Sequence, residues 1–313
     1  VDFENDYKTM DADFMESIWW VFSQLWEQDR IYKAHRIMPY SWKLNTPLSN
    51  FEAGRNYQDV QDPAITVQIP LINFEIKDVS LLIWTTTPWT LPSNLAVCVG
   101  PDIDYVVLKD HQSNHNLLLA SSRLDTYYKE ESDYTILKTL KGNELKDISY
   151  KPIFNDFLNH KNAFKILIDD FVSTEDGTGI VHMAPAYGED DYRICREANI
   201  NIVDPLDADC VFTDMVSWLK GKFCKDADKE IIQVLKDNNQ LIYQSTIQHS
   251  YPFCERTDTP LIYRAIDAWY VKVEDLRDRM IQHNSTIHWT PEHVGKKRFE
   301  NWLADAKDWN ISR

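Results

Sequence analysis

The sequence predicts an α+β fold: a curved, barrel-like sheet core with peripheral helices, and helical segments on both flanks. Three observations carry that prediction. Short apolar runs recur between about 60 and 185, each bounded by turn residues. Few of these runs are joined by the regular helical crossovers that a doubly wound sheet needs. Both ends of the chain instead place apolar residues three and four apart. At 313 residues the chain can bury a sizeable core and is expected to hold one large domain plus attachments.

The first element is a helix over 11–33, where Phe14, Ile18, Val21, Phe22, Leu25 and Trp26 recur at helical spacing. Its length and the adjacent Trp19 and Trp20 fit core packing or docking to a partner domain. Pro39 and Pro47 then punctuate a loop-rich stretch that ends near Phe51-Glu52-Ala53. Strands follow over 79–84, 95–99, 105–108, 116–119 and 164–168, with Gly100-Pro101-Asp102 and Gly142-Asn143 as turns. Helices are expected over 123–131, from Glu189-Asp190-Asp191 onward, and over 228–237. After about 248 the character changes again, and 294–306 reads as a helix with Phe299, Trp302 and Leu303 on one face. The chain thus divides into 1–50, 51–247 and 248–313. It contains no internal repeat, low-complexity tract or glycine-rich phosphate loop; Gly177-Thr178-Gly179 lacks the third glycine and the following helix.

Composition narrows the function. The chain is 43% hydrophobic and 12% aromatic, well above what a disordered chain carries. No run approaches 18 apolar residues, so a membrane span is not expected. The start, Val1-Asp2-Phe3-Glu4-Asn5-Asp6, lacks the basic and apolar regions of a signal peptide. Cys98, Cys195, Cys210, Cys224 and Cys254 are scattered, without a C-x-x-C pair, which suits a reducing, cytoplasmic compartment. A net charge of −16 opposes autonomous binding to nucleic acid, and Lys296-Lys297-Arg298 is too short to reverse it.

Two segments nearly a hundred residues apart carry the chemistry: Trp84-Thr85-Thr86-Thr87-Pro88-Trp89-Thr90 and Gly177-Thr178-Gly179-Ile180-Val181-His182-Met183-Ala184-Pro185. The second runs on into Tyr187-Gly188-Glu189-Asp190-Asp191-Tyr192. Three threonines at a strand end are ordinarily β-propensity. Pro88 changes the balance, because it lacks an N–H, ends the ladder and leaves Thr85, Thr86 and Thr87 at a sheet margin. Their hydroxyls could hold a ribose, a carbonyl or a water, with the Asn94 amide nearby. His182 lies in an apolar strand, where a lone histidine is usually a satisfied core residue. Asp191 falls in the first turn of a helix, where a carboxylate gains ~0.3–1 kcal/mol from the helix dipole. Capping alone would account for it, and for Glu189 and Asp190. Together the two segments, with Asn94, nevertheless supply a carboxylate that could meet an ammonium, hydroxyls and an amide that could meet a ribose, and a fixed wall.

These segments resemble the editing site of isoleucyl-tRNA synthetases. The resemblance rests on T-T-T-P-W-T, on Asn94 within Leu91-Pro92-Ser93-Asn94, and on G-T-G-x-V-H-x-A-P followed nine residues after His182 by Asp191. Valyl and leucyl relatives usually have T-T-R-P and another residue for the histidine. Asp2-Phe3-Glu4-Asn5-Asp6-Tyr7-Lys8-Thr9, 47–53 and Trp309-Asn310-Ile311-Ser312-Arg313 extend the resemblance, in eukaryotic-type form, across nearly the whole chain.

The resemblance implies an editing core over 51–247, between segments connecting it to a synthetic domain. The implied activity is hydrolysis of valine misattached to the isoleucine tRNA, with valyl-adenylate as an alternative substrate. Neither H-I-G-H nor K-M-S-K-S is present, so this stretch is not expected to activate an amino acid. The implied partners are the 3′ end of the aminoacylated tRNA and the rest of the synthetase, with the isolated domain monomeric. Asp191 would pair the α-ammonium and His182 would form part of the side-chain wall. Thr85, Thr86 and Thr87, with Trp84 and Asn94, would hold the adenosine and the attacking water.

Two departures stand out. Many relatives carry zinc-binding cysteine clusters, whereas 40–46 has no cysteine and 249–256 keeps only Cys254 beside His249. One Cys and one His cannot fill a tetrahedral site, so neither a metal nor any other cofactor is expected. Ala186-Tyr187 replaces the Gly-His of many bacterial relatives. Two other functions fit the same residues: general acid–base hydrolysis of a different substrate by His182 and Asp191, or an inert docking module with structural threonines.

Overall fold

The computed structural model describes residues 6–312. The stretch 2–5 of the N-terminal resemblance and Arg313 lie outside the described residues. The chain forms two compact units, one of Ile37–Ala265 and one of Val1–Arg36 with Ile266–Arg313. Fourteen strands are described. In chain order they are β1 (Ile31–Ser41), β2 (Thr46–Pro47), β3 (Tyr57–Ile72), β4 (Val79–Thr85), β5 (Ala96–Val99), β6 (Asp104–Asp110) and β7 (Asn116–Ala120). Then come β8 (Tyr134–Lys141), β9 (Ser149–Tyr150), β10 (Lys165–Ile168), β11 (Ile180–Met183), β12 (Leu241–Pro252), β13 (Ile262–Val271) and β14 (Trp309–Asn310).

Ten of them form one mixed sheet in the larger unit, in the order β12-β3-β9-β10-β5-β11-β4-β7-β6-β8, with a further pairing between β3 and β4. That pairing, Ile65↔Thr85 through Pro70↔Ser80, brings the hydrogen bonding back on itself through six strands. The fold class is therefore α+β, as the sequence predicts, with β12 and β7-β6-β8 extending a curved sheet beyond the closed part.

Central strands are apolar on both faces, which is why β4 and β5 read as unbroken runs and not as alternation. Leu82 packs outward with Val106, Leu108, Leu117, Leu119 and Leu124. Leu95, Ala96, Cys98 and Met183 pack with Ile194 and Cys195 of helix α4 (Glu189–Glu197). Numbered in chain order, the others are α1 (Ala12–Glu27), α2 (Asn50–Ala53), α3 (Leu124–Tyr127), α5 (Asp228–Asp237), α6 (Arg277–Asn284) and α7 (Glu300–Ala304). Burial of a full Leu or Ile is worth ~1.5–3 kcal/mol, so Ile194 and its neighbours hold the start of α4 beside β11.

Several elements differ from the sequence expectation. The helix over 11–33 stops at Glu27, because Asp29 adopts a left-handed φ of 53° and the chain then extends as β1. No residue of α1 is buried; Trp19 and Trp20 are 68% and 64% exposed. The helix over 123–131 shrinks to α3, flanked by 3-10 turns. The one over 294–306 is a π-helical stretch, Val294–Phe299, followed by α7. Pro39 lies within β1 and Pro47 ends β2, and two long strands, β12 and β13, occupy the region around and after 248. Among the described residues no helix is long and apolar enough to cross a membrane.

Candidate active site

Strands β4 and β11 are parallel neighbours, with Val181 opposite Trp84. Both segments singled out in the sequence therefore leave the sheet side by side at the same end. The last ladder position of β4 is Thr85. Pro88 then opens a 3-10 turn, Pro88–Ser93, and Thr87 N–H folds back onto Thr85 Oγ1 at 3.1 Å. The approach to β11 is set by Gly177 and Gly179, with φ of 66° and 74°, where side chains are strained. A Cβ on Gly179 would also lie 2.5 Å from that of Ala120. Between them Thr178 donates to Leu82 O at 2.6 Å, and Arg123 holds the carbonyls of Gly177 and Glu175 at 2.9 Å each.

These strand ends enclose a cavity of about 450 Å³ whose walls include Trp84, Thr85, Thr86, Thr87, His182 and Asp191. Thr90 and Tyr187 share the wall. Asn94 is not on it. Its amide lies one layer behind His182, which makes it a positioning group for the ring.

The orientation of that amide follows from its partners. Nδ2 donates to Ala96 O at 2.9 Å, while Oδ1 accepts from the Tyr150 hydroxyl at 2.7 Å. Nδ2 also faces His182 Nδ1 at 2.9 Å and must donate to it. Nδ1 is thus the acceptor, and the ring proton sits on Nε2, 2.8 Å from Thr90 Oγ1. Thr90 in turn donates to Thr87 O at 2.9 Å. Burial pushes the His182 pKa down from 6.5 to about 4. Both ring nitrogens are engaged and the ring is neutral, so it has no free lone pair for a proton from the cavity.

Asp191 occupies the first turn of α4 with Glu189 and Asp190, as the sequence suggests for a dipole-compensating carboxylate. The N-cap residue is Gly188, which makes no side-chain cap bond, and not Asp191. Its Oδ2 instead accepts the Ala184 N–H at 2.7 Å, tying α4 to the end of β11. Gly188 makes room for it: a Cβ there would lie 2.6 Å from Asp191 Oδ1. Arg193, the nearest cation along the helix, is taken by Asp169 at 2.9 Å and Asp190 at 3.1 Å. The charge of Asp191 is therefore met by backbone N–H groups. Burial raises its pKa from 3.8 to about 7, with the Asp190 charge adding to the rise. A half-buried carboxylate of this kind, on the wall of a cavity, is suited to a cationic ligand.

Further residues support the site, two of them, Trp89 and Tyr187, from the segments already singled out, and one, Asp228, without any sequence signal. Trp89 N–H donates to Asp228 Oδ1 at 2.8 Å, which fixes the 3-10 turn to the start of α5. The Trp89 ring meets Tyr187 edge-on, centroids 4.8 Å apart. Consecutive residues of one turn thus hold two walls, Trp89 against Tyr187 and Thr90 against His182. Cys254 is buried with Leu48, Ala53 and Leu261. Among the described residues no group of three His, Cys, Asp or Glu comes together as a metal-binding cluster.

With this geometry in hand, the comparisons place the chain in a family. Residues 1–313 match the tRNA synthetases class I (I, L, M and V). The chain belongs to that family. It is similar over its whole length to the cytoplasmic isoleucine–tRNA ligase of Mus musculus, at 49% identity, and to the isoleucine–tRNA ligase of Protochlamydia amoebophila, at 50%. It spans 25% and 30% of those two proteins. Among solved structures, the editing domain of the P. falciparum cytosolic leucyl-tRNA synthetase is similar to 59% of this chain. The match covers 99% of that domain at 12% identity, with a TM-score of 0.47.

Proposed function

We propose that this chain is the editing section of an isoleucyl-type synthetase, hydrolysing the ester that joins valine to the 3′ end of the isoleucine tRNA. The observation that carries the proposal is the single cavity shared by the Thr85–Thr87 hydroxyls, the neutral His182 and a carboxylate, Asp191, not paired with Arg193. The remainder of the synthetase and the tRNA are the partners. A net charge of −16 puts most tRNA affinity outside this section.

In this proposal Asp191 binds the α-ammonium of the aminoacyl group, an attraction that also lowers the carboxyl pKa and keeps it ionised. His182 stands as a fixed wall, its nitrogens satisfied by Asn94 and Thr90. The threonine hydroxyls hold the terminal ribose and the attacking water. An ester bearing an α-ammonium is already labile, so positioning and charge stabilisation suffice without a covalent nucleophile. Selectivity comes from size. One methylene is worth only ~1–3 kcal/mol in an apolar pocket, a borrowed general figure of which isoleucine against valine is itself the standard illustration. A second pocket too small for isoleucine excludes the correct product by overlap.

The general-base alternative loses ground here, because His182 Nδ1 accepts from Asn94 and Nε2 carries the proton. The test is hydrolysis of valyl- and isoleucyl-tRNA by the full enzyme that contains this section. Faster loss of the valyl ester, abolished by Asp191→Ala, is expected. Equal rates for both esters, or none for either, would sink the proposal.

A further inference from the structure

We infer that Tyr187 is a second specificity-determining wall of the cavity, braced by a buried ion pair so that it does not yield to a larger acyl group. The inference rests on the editing proposal and adds a residue to it. Tyr187 lines the cavity. Its hydroxyl points away from the ligand space and donates to Asp204 Oδ1 at 2.9 Å. Asp204 is itself held by Arg264, with Nη2 at 2.7 Å and Nε at 3.2 Å from Oδ2. Arg264 is only 7% exposed and uses its remaining donors on Leu206 O at 3.0 Å and Asp207 O at 2.6 Å. The next residue, Ala265, donates its N–H to Ala186 O at 2.7 Å. Residues 264 and 265 therefore grip residues 186 and 187 at both side chain and backbone. The Trp89 ring meets the Tyr187 ring edge-on, centroids 4.8 Å apart.

Two physical points give this arrangement a purpose. A steric sieve discriminates only as far as its wall resists displacement, since a ring that swings aside admits the extra methylene. A buried ion pair adds little net stability over apolar residues of the same size, but the bonds of Asp204 to Tyr187 and of Arg264 to Leu206 and Asp207 hold the tyrosine hydroxyl in one place. With its hydroxyl tied to Asp204, the tyrosine offers the cavity ring carbon and no polar atom. That is the surface that should meet a branched aliphatic acyl group. Tyr187 thus sets size and apolarity on one side of the cavity as His182 does on another.

The experiment compares hydrolysis of valyl- and isoleucyl-tRNA by the full enzyme and its Tyr187→Ala and Tyr187→Phe variants. Tyr187→Ala is expected to narrow the valyl-over-isoleucyl ratio by about tenfold or more, on the scale of one methylene, chiefly by gaining isoleucyl cleavage. Tyr187→Phe keeps the ring and loses only the brace, so its ratio should fall by a smaller factor, and it guards against a misfolded alanine variant. A uniform loss of rate with the wild-type ratio kept in both variants overturns the inference. Wild-type enzyme that cleaves neither ester overturns the editing proposal, and this inference with it.

Discussion

Asn94 Nδ2 stands 2.9 Å from His182 Nδ1, and that one bond decides which nitrogen of the ring carries the proton. The Ala96 carbonyl fixes the amide, the amide fixes the imidazole, and the imidazole presents Nε2–H to Thr90. A backbone oxygen of β5 therefore sets the chemical character of a cavity wall two bonds away.

The tautomer is directly measurable. Nitrogen-15 NMR of labelled histidine should show His182 as the Nε2–H form with no protonation down to about pH 5, consistent with its depression to about 4. Asn94→Asp should reverse the polarity at Nδ1, draw a proton there and move the titration up toward neutrality. A wild-type ring protonated on Nδ1 at pH 7 would refute the assignment.

His182→Ala should change selectivity more than it abolishes cleavage. The ring is placed as a wall, so its loss should raise isoleucyl relative to valyl ester hydrolysis in the full enzyme. An unchanged ratio with a rate uniformly lowered by two or more decades would instead restore the general-base role, whose typical worth is about 10²–10⁴-fold.

Asp191→Ala should be the most damaging single change to ligand binding while the fold is kept. Truncating one partner of a desolvated charge pair costs ~2–5 kcal/mol. At about 1.4 kcal/mol per decade, that is roughly thirty-fold to several-thousand-fold in affinity for a non-hydrolysable valyl-adenosine analogue. Calorimetric titration beside a thermal melt separates this from a helix-dipole role. A role confined to the helix dipole would give near-normal affinity and a fold weakened by ~0.3–1 kcal/mol.

Stability should depend on pH through His182 and, opposed to it, two buried carboxyls, Asp191 and Asp228, each raised to about 7 chiefly by burial. Between about 4 and 6.5 the unfolded chain binds a proton at His182 that the folded chain refuses, so this group makes stability rise with pH. Between 3.8 and about 7 the folded chain keeps a proton on Asp191 that the unfolded chain has lost, so this group makes stability fall with pH. Each slope is at most about 1.4 kcal/mol per pH unit, and where they overlap His182 offsets one of the two carboxyls. Denaturation of His182→Gln at several pH values should steepen the fall, and that of Asp191→Asn should flatten it. Parallel curves for both variants and wild type would show that neither His182 nor Asp191 is perturbed by folding.

Gly188→Ala isolates the carboxylate without touching it. Gly188 has an extended backbone, φ −131° and ψ 139°, that alanine adopts freely, so the helix start should survive. The new methyl would nevertheless lie 2.6 Å from Asp191 Oδ1 and must displace it. Analogue affinity should fall, toward that of Asp191→Ala, in a protein with nearly wild-type melting. Full affinity would mean that the carboxylate has room to move and is not the ammonium partner.

Much of the core was legible because buried strands announce themselves as short apolar runs, as in β4, β5, β7 and β10. β12 was not, because Leu241–Pro252 is rich in polar residues and its alternation, with Tyr243, Ile247 and Tyr251 on one face, forms no apolar run. The helix over 11–33 was overextended: the aromatic spacing is real, but Asp29 takes a left-handed turn that no periodicity announces. At the cavity, the Thr85–Thr87 and His182–Asp191 segments were singled out chiefly by resemblance, since each side chain also has an ordinary structural reading, and their meeting follows only from the parallel pairing of β4 with β11. Asn94 could be picked out by residue type, but its place behind His182 depends on where Ala96 and Tyr150 point. Asp204 and Arg264 gave no signal, since their importance lies in a bond from Tyr187 to Asp204, 17 residues on, and one from Arg264 to Asp204, 60 residues further.

The parallel pairing has one last consequence. What joins the two halves of the cavity is a seam between strands and not the covalent thread, which wanders through β5 to β10 before it returns. The turn at Gln112, Ser113 and Asn114, between β6 and β7, is exposed and falls between the threonine segment and the histidine segment. A cut there would leave each half with one set of reacting groups and with complementary strand edges: β4 on the first piece, β7 and β11 on the second. After such a cut the two halves of the cavity would be held to one another by strand pairing alone.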